Sequence, residues 1–325
     1  MYESKNVLLI AGGGTLGRYT AAELLRLGCY VDILCLEDNV SAHERLRYYK
    51  GNADLAYLKG FLKDRQYHGI VNFIHYKNVE EYKPVHRLLS ESTEHLIFLS
   101  SYRVYADLEH PITENSPTLY DTVKDEDFLQ NENYAVPKSK AERYLKSESG
   151  TKNWTIVRPV ISFSDKRLDI VTVSGRKVIE CAKAGKTILL PEQAKNLTAG
   201  LDWAGNSGKL IANLLFKEKA LGEIYTISTA QNMLWKDVAA IYTQLLGAEF
   251  EWIDANAYAE KDENIKRNPW ILKYDRLFDR KIDNRKVLEI TGLQNEEFLS
   301  IRDGIQLELD KIIGKRADIS SQSAI

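Results

Sequence analysis

Over its first 160 residues the chain alternates short, nearly unbroken apolar runs with stretches in which apolar residues recur every three or four positions. Five runs, at residues 6–11 (NVLLIA), 30–36 (YVDILCL), 69–75 (GIVNFIH), 94–100 (EHLIFLS) and 154–160 (WTIVRPV), are rich in β-branched or aromatic side chains. Unbroken hydrophobicity over so few residues predicts strands buried on both faces. Segments 16–27 and 135–147 place apolar residues at i, i+3 and i+4 with charges opposite, the pattern of a helix lying on a sheet, and a further helix is expected at 78–90. The alternation predicts a parallel sheet covered by crossover helices, with a weaker sixth strand at 46–51. Beyond about residue 165 the elements shorten. Helices are expected at 176–184, 203–216 and 235–246, a strand at 223–228, a polar surface loop at 254–269 and a last amphipathic helix at 298–313. The polar tail RADISSQSAI is expected to fray.

Length and charge narrow the class. At roughly 150 residues per domain, 325 residues suggest two units. Lys plus Arg total 44 against 46 for Asp plus Glu, a net charge of −2, which lacks the electrostatic footprint of a nucleic-acid binder. No segment is apolar for long enough to span a bilayer, and the first residues enter a strand without a signal-peptide pattern. The expectation is a soluble cytoplasmic protein with neither nucleic acid nor membrane as partner. Cys29, Cys35 and Cys181 form no CxxC pair. Cys29 and Cys35 would stand about 20 Å apart on one extended strand, too far for a disulfide, and read as small buried hydrophobes. The histidines are scattered without ligand spacing, so no metal site is expected.

The first strand ends in Ala11-Gly12-Gly13-Gly14-Thr15-Leu16-Gly17 and passes directly into a helix. This is GxGxxG in the context that gives it meaning. Glycine is required for a tight turn, for backbone approach to a pyrophosphate and for close packing of helix on strand, and the helix N-terminus offers free N–H groups to phosphate. Gly12, Gly14 and Gly17, with Thr15 and Leu16 between them, are the expected dinucleotide cradle. About 20 residues on, where an acid meets the adenosine ribose, stand Glu37 and Asp38. No Arg or Lys follows until Arg45, so a 2′-phosphate lacks a local partner and NAD is expected ahead of NADP.

A second constellation begins where the fourth apolar run ends in Ser100-Ser101. Further on, Tyr134-Ala135-Val136-Pro137-Lys138 opens a helix, and the i, i+4 spacing puts a phenol and an ammonium on one face. A nearby positive charge favours the phenolate, which exchanges a proton with a substrate hydroxyl or carbonyl, and a Ser hydroxyl from a neighbouring strand end can bind the same oxygen. Ser101, Tyr134 and Lys138 are the expected catalytic trio for carbonyl and alcohol redox at a nicotinamide. A rival YxxxK, Tyr120 to Lys124, lies in an acidic stretch with poor helix-on-sheet character. Pro137 requires the helix to begin at or just after Tyr134.

With these residues in place the chain resembles the extended short-chain dehydrogenase/reductases of the NAD-dependent epimerase/dehydratase group. The matching pieces run in family order: IAGGGTLGRYTAAELLRLG, KGNADLAYLKGFL, FLSSYRVYADLEHPITENSP, YAVPKSKAERYL, TIVRP, LDWAGNSGKLIANLL and GEIYTISTAQ. The resemblance implies a Rossmann-like doubly wound parallel sheet with a smaller C-terminal α/β substrate domain, divided at about 1–170 and 171–325, with elements around 196–230 returning to the sheet. It implies NAD or NADP as cofactor, a carbohydrate or nucleotide-sugar substrate, and a homodimer through helices 78–90 and 135–147. It assigns Ser101, Tyr134 and Lys138 to catalysis, the stretch from Gly12 to Gly17 to the pyrophosphate, and Asn52 to the adenine.

Departures qualify the substrate. The family's opening TG is Ile10-Ala11 here, and its usual Asp is Asn52. Val160 follows Arg158-Pro159 where many nucleotide-sugar enzymes carry Asn. Tyr102 and Arg103 stand where dehydratases carry an acidic pair, which argues against dehydration. Arg158 is a candidate cofactor contact or a structural ion pair. Asp202 is a candidate helix cap or ligand contact, and Trp235, Trp252 and Trp270 are candidate core or pocket residues. Segment 107–133, rich in Asp and Glu, reads as a solvated surface excursion. The expected activity is NAD-dependent epimerisation or oxidoreduction of a sugar hydroxyl. The alternative is a catalytically silent relative that senses NAD(P) or associates with RNA or protein.

Overall fold

The computed structural model describes residues 2–314; the expectation for the tail lies outside them. The apolar runs become strands β1 (Asn6–Ile10), β2 (Tyr30–Cys35), β3 (Leu46–Lys50), β4 (Tyr67–Asn72), β5 (Thr93–Leu99) and β6 (Trp154–Pro159). Between them lie α1 (Thr15–Arg26), α2 (Leu55–Leu62), α3 (Val79–Glu91), α4 (Leu119–Thr122), α5 (Glu126–Asn131) and α6 (Ala135–Ser147). The second half contributes β7 (Ile161–Phe163), α7 (Gly175–Lys183), β8 (Ile188–Pro191), β9 (Leu201–Trp203), α8 (Ala204–Leu214), β10 (Glu223–Ile227), α9 (Trp235–Leu246), β11 (Phe250–Ile253), α10 (Ala255–Lys261), α11 (Glu263–Arg267), α12 (Arg285–Thr291) and α13 (Ile301–Ile313).

Seven strands form one parallel sheet in the order β3-β2-β1-β4-β5-β6-β10. Val7 of β1 stands opposite Val31 on one side and Gly69 on the other. One face buries Leu24 of α1, Leu210 and Leu214 of α8 and Val287 of α12 against Val31 and Ile33. The opposite face buries Leu58 of α2, Tyr82 and Leu89 of α3 and Tyr144 of α6. Each such side chain contributes about 1.5–3 kcal/mol on leaving water, so both faces of the central strands are apolar and their sequence shows no alternation. The winding reverses at β1 and β4, and in sheets of this kind the ligand crevice opens beyond the carboxyl ends of the strands at that point.

The later residues build a second core around Phe163, Val178, Leu190, Trp235, Tyr242 and Ile305, with the parallel pairs β8–β11 and β7–β9. Two sequence expectations are corrected. Residues 254–269 are mostly helical, α10 and α11, each opened by an aspartate whose carboxylate accepts from two backbone amides, Asp254 and Asp262. Segment 107–133 is no solvated excursion. It carries α4 and α5 and buries Leu119 and Phe128. The Phe128 ring lies 4.3 Å from that of Tyr274, and Asp125 accepts from Lys273 Nζ and Tyr274 Oη at 2.8 Å each. Helix 203–216 begins one residue later than expected, because Trp203 closes β9. Among the described residues no helix is long and apolar enough to cross a membrane.

Candidate active site

The glycine loop leaves β1 through Ala11, whose φ of +56° lies in the left-handed region that favours glycine. The turn expected of Gly12 is therefore made one residue earlier. Gly12 is needed instead for packing, since a Cβ there would fall 2.7 Å from Leu9 Cβ. At Gly17 a Cβ would sit 2.2 Å from Gly12 O, so only glycine lets α1 press against the loop. Gly14 precedes α1 without any side-chain cap, which leaves first-turn N–H groups for a ligand.

Two cavities meet over this loop. One, of about 430 Å³, is lined by Gly14, Thr15, Leu16, Gly17, Ser101 and Tyr134 among others. The second, of about 730 Å³, is lined by Gly13, Glu37, Asn52, Asp54 and His75 among others. Ala11, Gly14 and Phe73 line both, so the two form one cleft along the carboxyl ends of the strands. Of the two acids after β2, Glu37 faces the cleft, whereas Asp38 stands 3.5 Å from Lys50 Nζ.

Ser101 follows β5, its Oγ accepting from Arg103 N at 3.2 Å. Tyr134 occupies the N-cap position of α6, and Pro137 falls in the first turn, where its missing N–H costs nothing. The buried Glu132 fixes this helix start: its Oε2 accepts from the amides of Tyr134 and Val136, both at 3.0 Å. The Tyr134 ring packs against His75, centroids 5.1 Å apart, and under the Arg103 guanidinium at 4.8 Å. Lys138 is turned inward. Its Nζ donates to Leu99 O and, at 3.3 Å, to Ile74 O, so it lies behind the wall those residues form. Burial pushes its ammonium down to about 7, against an opposing pull from Glu142.

Arg158 is not in the cleft. It is 2% exposed, bonds Glu142 through Nε at 2.9 Å and Nη2 at 2.5 Å, and donates Nη1 to Glu114 O at 3.2 Å. Ser100 Oγ donates to the same Glu142 at 2.5 Å. The network ties α6 to the ends of β5 and β6, and its arginine has no free face for a cofactor. Asp202 is likewise internal. Its carboxylate accepts from Asn206 Nδ2 at 2.9 Å and Thr229 N at 2.6 Å, and burial raises its pKa to about 6. Trp235 is core, and neither Trp252 nor Trp270 lines the two cavities.

Sequence reading missed the far wall. Arg103, Arg167, Ile271 and Arg276 line the cavity that contains Tyr134. Asp275 and Arg276 sit on a wide, π-type helical turn, 272–276, beside the rings that hold segment 107–133 in place. In the sequence Arg103 stands out only as a position that is not acidic, and nothing in the local pattern around Asp275 pairs it with a residue more than 170 positions earlier.

No protein-family model and no curated protein matches the chain. Solved structures do. An epimerase from Methanothermobacter thermautotrophicus, Mth375, superposes with a TM-score of 0.72 at 15% identity, covering 99% of this chain and 96% of its own. WbmG of Bordetella bronchiseptica, solved with NAD and UDP, gives 0.71 at 15% identity over 96% of each chain. The Thermus thermophilus UDP-glucose 4-epimerase, solved with NAD, gives 0.66 at 16% identity over 95% of this chain and 99% of its own. The chain thus has the fold of these proteins, a Rossmann-like doubly wound parallel sheet carrying a smaller α/β unit, as its resemblance to the extended short-chain dehydrogenase/reductases implied.

Proposed function

We propose that the chain catalyses NAD-dependent hydride transfer at a hydroxyl or keto carbon of a sugar or nucleotide-sugar-like substrate, with Tyr134 as acid/base. The observation that carries this reading is the single cleft, in which Tyr134 and Ser101 share a cavity with the uncapped start of α1 while Glu37 and Asn52 line its continuation. The donor set fits a dinucleotide: first-turn amides for the pyrophosphate, Glu37 for ribose hydroxyls and Asn52 beside the adenine. WbmG and the Thermus epimerase, which share the fold, were solved with NAD. Glu37 disfavours a 2′-phosphate and so NADP.

Bound NAD supplies the hydride acceptor. Tyr134, acting as its phenolate, takes the carbinol proton to become the phenol, and Ser101 donates a hydrogen bond to the same oxygen as it becomes a carbonyl. Lys138, four residues along α6, adds positive charge when protonated. Return of the proton and hydride to the opposite face gives epimerisation; escape of the keto product gives a dehydrogenase or reductase. Tyr102 and Arg103 offer no carboxylate for expelling water. A homodimer through α3 and α6 would be polar, since Glu80, Arg87, Arg143 and Lys146 are exposed on them and the exposed large hydrophobics among the described residues lie elsewhere.

The second reading, a silent NAD(P)-sensing relative, draws on the inward turn of Lys138. Substitution Tyr134→Phe separates the two. The enzyme reading predicts that NAD binding persists while the rate of hydride transfer to bound NAD falls roughly 10²- to 10⁴-fold. A wild-type protein that binds NAD and transfers no hydride from any sugar or nucleotide sugar assigns the cleft to sensing.

A further inference from the structure

The wall facing Tyr134 is built from guanidinium groups. Arg103, Arg167 and Arg276 line the cavity, and Arg280, 1% exposed, lies buried in contact with the same cluster. Asp275 meets three of these arginines: Arg103 Nε at 3.2 Å, Arg276 Nη1 at 2.5 Å and Arg280 Nη2 at 3.8 Å. Glu132 meets only Arg103, at 3.4 Å, and its other oxygen is occupied by the amides of α6. Asp107 acts on Arg280 from beyond ion-pair contact and is itself 3.0 Å from His110. Three guanidinium groups therefore share two directly contacting carboxylates, with Asp169 acting on Arg276 from farther off as Asp107 does on Arg280. Burial opposes ionisation of Asp275, yet Arg276, Arg103 and Arg280 outweigh it and hold the group below the usual carboxylate range.

The cluster also has donors to spare. Arg276 uses Nε on Val171 O at 2.7 Å and Nη1 on Tyr102 Oη at 2.9 Å and on Asp275, and among the described residues its Nη2 has no hydrogen-bond partner. Arg103 gives Nη2 to Glu132 and keeps its buried Nε against Asp275, and among the described residues its Nη1 has no hydrogen-bond partner. Arg167 gives only Nε, to Asp169 at 3.0 Å. Planar forks with free N–H groups are matched by a carboxylate, which they bind in bidentate fashion. Location says where on a substrate such a group would lie. Arg103 lies over the Tyr134 ring at 4.8 Å, so a group it grips lies close to the oxygen that Tyr134 deprotonates.

We propose that the sugar oxidised at Tyr134 carries a carboxylate received by Arg103 and Arg276, so that the substrate is an acidic sugar of the uronic type. The inference rests on the hydride-transfer reading of the cleft. It is tested on the full-length protein loaded with NAD, using two matched pairs that differ only in carboxylate against hydroxymethyl: UDP-glucuronate with UDP-glucose, and glucuronate with glucose. Dissociation constants come from calorimetry, and hydride transfer from the absorbance of bound NADH.

The acidic member of at least one pair should bind at least about 30-fold more tightly, the scale of one charge-assisted hydrogen-bonded pair. Arg103→Met should bring that ratio close to one, and Arg103→Lys should restore part of it. A merely structural role for Arg103 would leave the ratio unchanged. Equal affinity within both pairs, or an Arg103→Met variant that weakens acidic and neutral nucleotide sugars alike, overturns the proposal, the latter result placing the arginines on the diphosphate. Binding of NAD with no binding of any of the four sugars overturns it too. Hydride transfer from neutral sugars only would sink the inference and leave the hydride-transfer reading standing, whereas failure to bind NAD would remove both.

Discussion

Lys138 and Arg158 are both cations next to a recognisable motif, and the fold withdraws both from solvent. Arg158 is neutralised by Glu142, 16 positions earlier, a pairing that exists only once α6 has docked on β5 and β6; the strand motif alone left its role open. Lys138 has no comparably close carboxylate and is held by two carbonyls. Its depressed pKa gives a signed prediction. Between about 7 and its unfolded value near 10.5, the unfolded chain keeps a proton that the native state has lost, so this group makes stability rise with pH, by at most about 1.4 kcal/mol per unit. Below pH 7 both states are protonated and the slope vanishes. Urea unfolding at pH 7 and 9 should show wild type gaining on Lys138→Met across that interval. Parallel behaviour of the two proteins would place the Lys138 pKa near its usual value.

At the scale of elements, the central strands were legible because a strand buried on both faces must be apolar throughout, and α1 and α6 because each presents one apolar stripe to the sheet. α10 and α11 were not. Helices of seven and five residues are too short to display a period, and their only local sign was the capping aspartate, which also suits a loop. α5 repeats the case, opened by Asp125 and anchored by the single buried ring of Phe128. The glycine loop was legible as a motif, but its division of labour was not: the left-handed residue is Ala11. A side chain in that region costs about 1 kcal/mol relative to glycine. Ala11→Gly should therefore raise the unfolding free energy by up to about that amount, seen as a higher urea midpoint at unchanged slope. A lower midpoint would mean that the Ala11 methyl contributes packing that outweighs the strain.

For the whole molecule, the sequence implied a cofactor part at about 1–170 and a substrate part at 171–325, with elements around 196–230 returned to the sheet. β10 and α8 come from the second half of the chain and complete the first half's sheet. Conversely, segment 107–133 leaves the sheet to pack on residues 270–278 and so supports the arginine wall across from Tyr134. One wall of the cleft is legible as a pattern because its residues lie in contiguous motifs, from Gly12 to Gly17 and around Tyr134. The opposite wall is not, because Arg103, Glu132 and the adjacent pair Asp275-Arg276 come together only through tertiary packing. The central claim is that this cleft holds NAD with its pyrophosphate on the glycine loop, and calorimetric titration of NAD into wild type and Gly17→Ala tests it most directly. The account predicts saturable one-to-one binding by the wild type and a loss of at least about tenfold in a variant that keeps its circular dichroism, because the added methyl would lie 2.2 Å from Gly12 O and force α1 off the loop. A wild type that binds no NAD at millimolar concentration, or a folded Gly17→Ala that binds it equally well, would contradict the account.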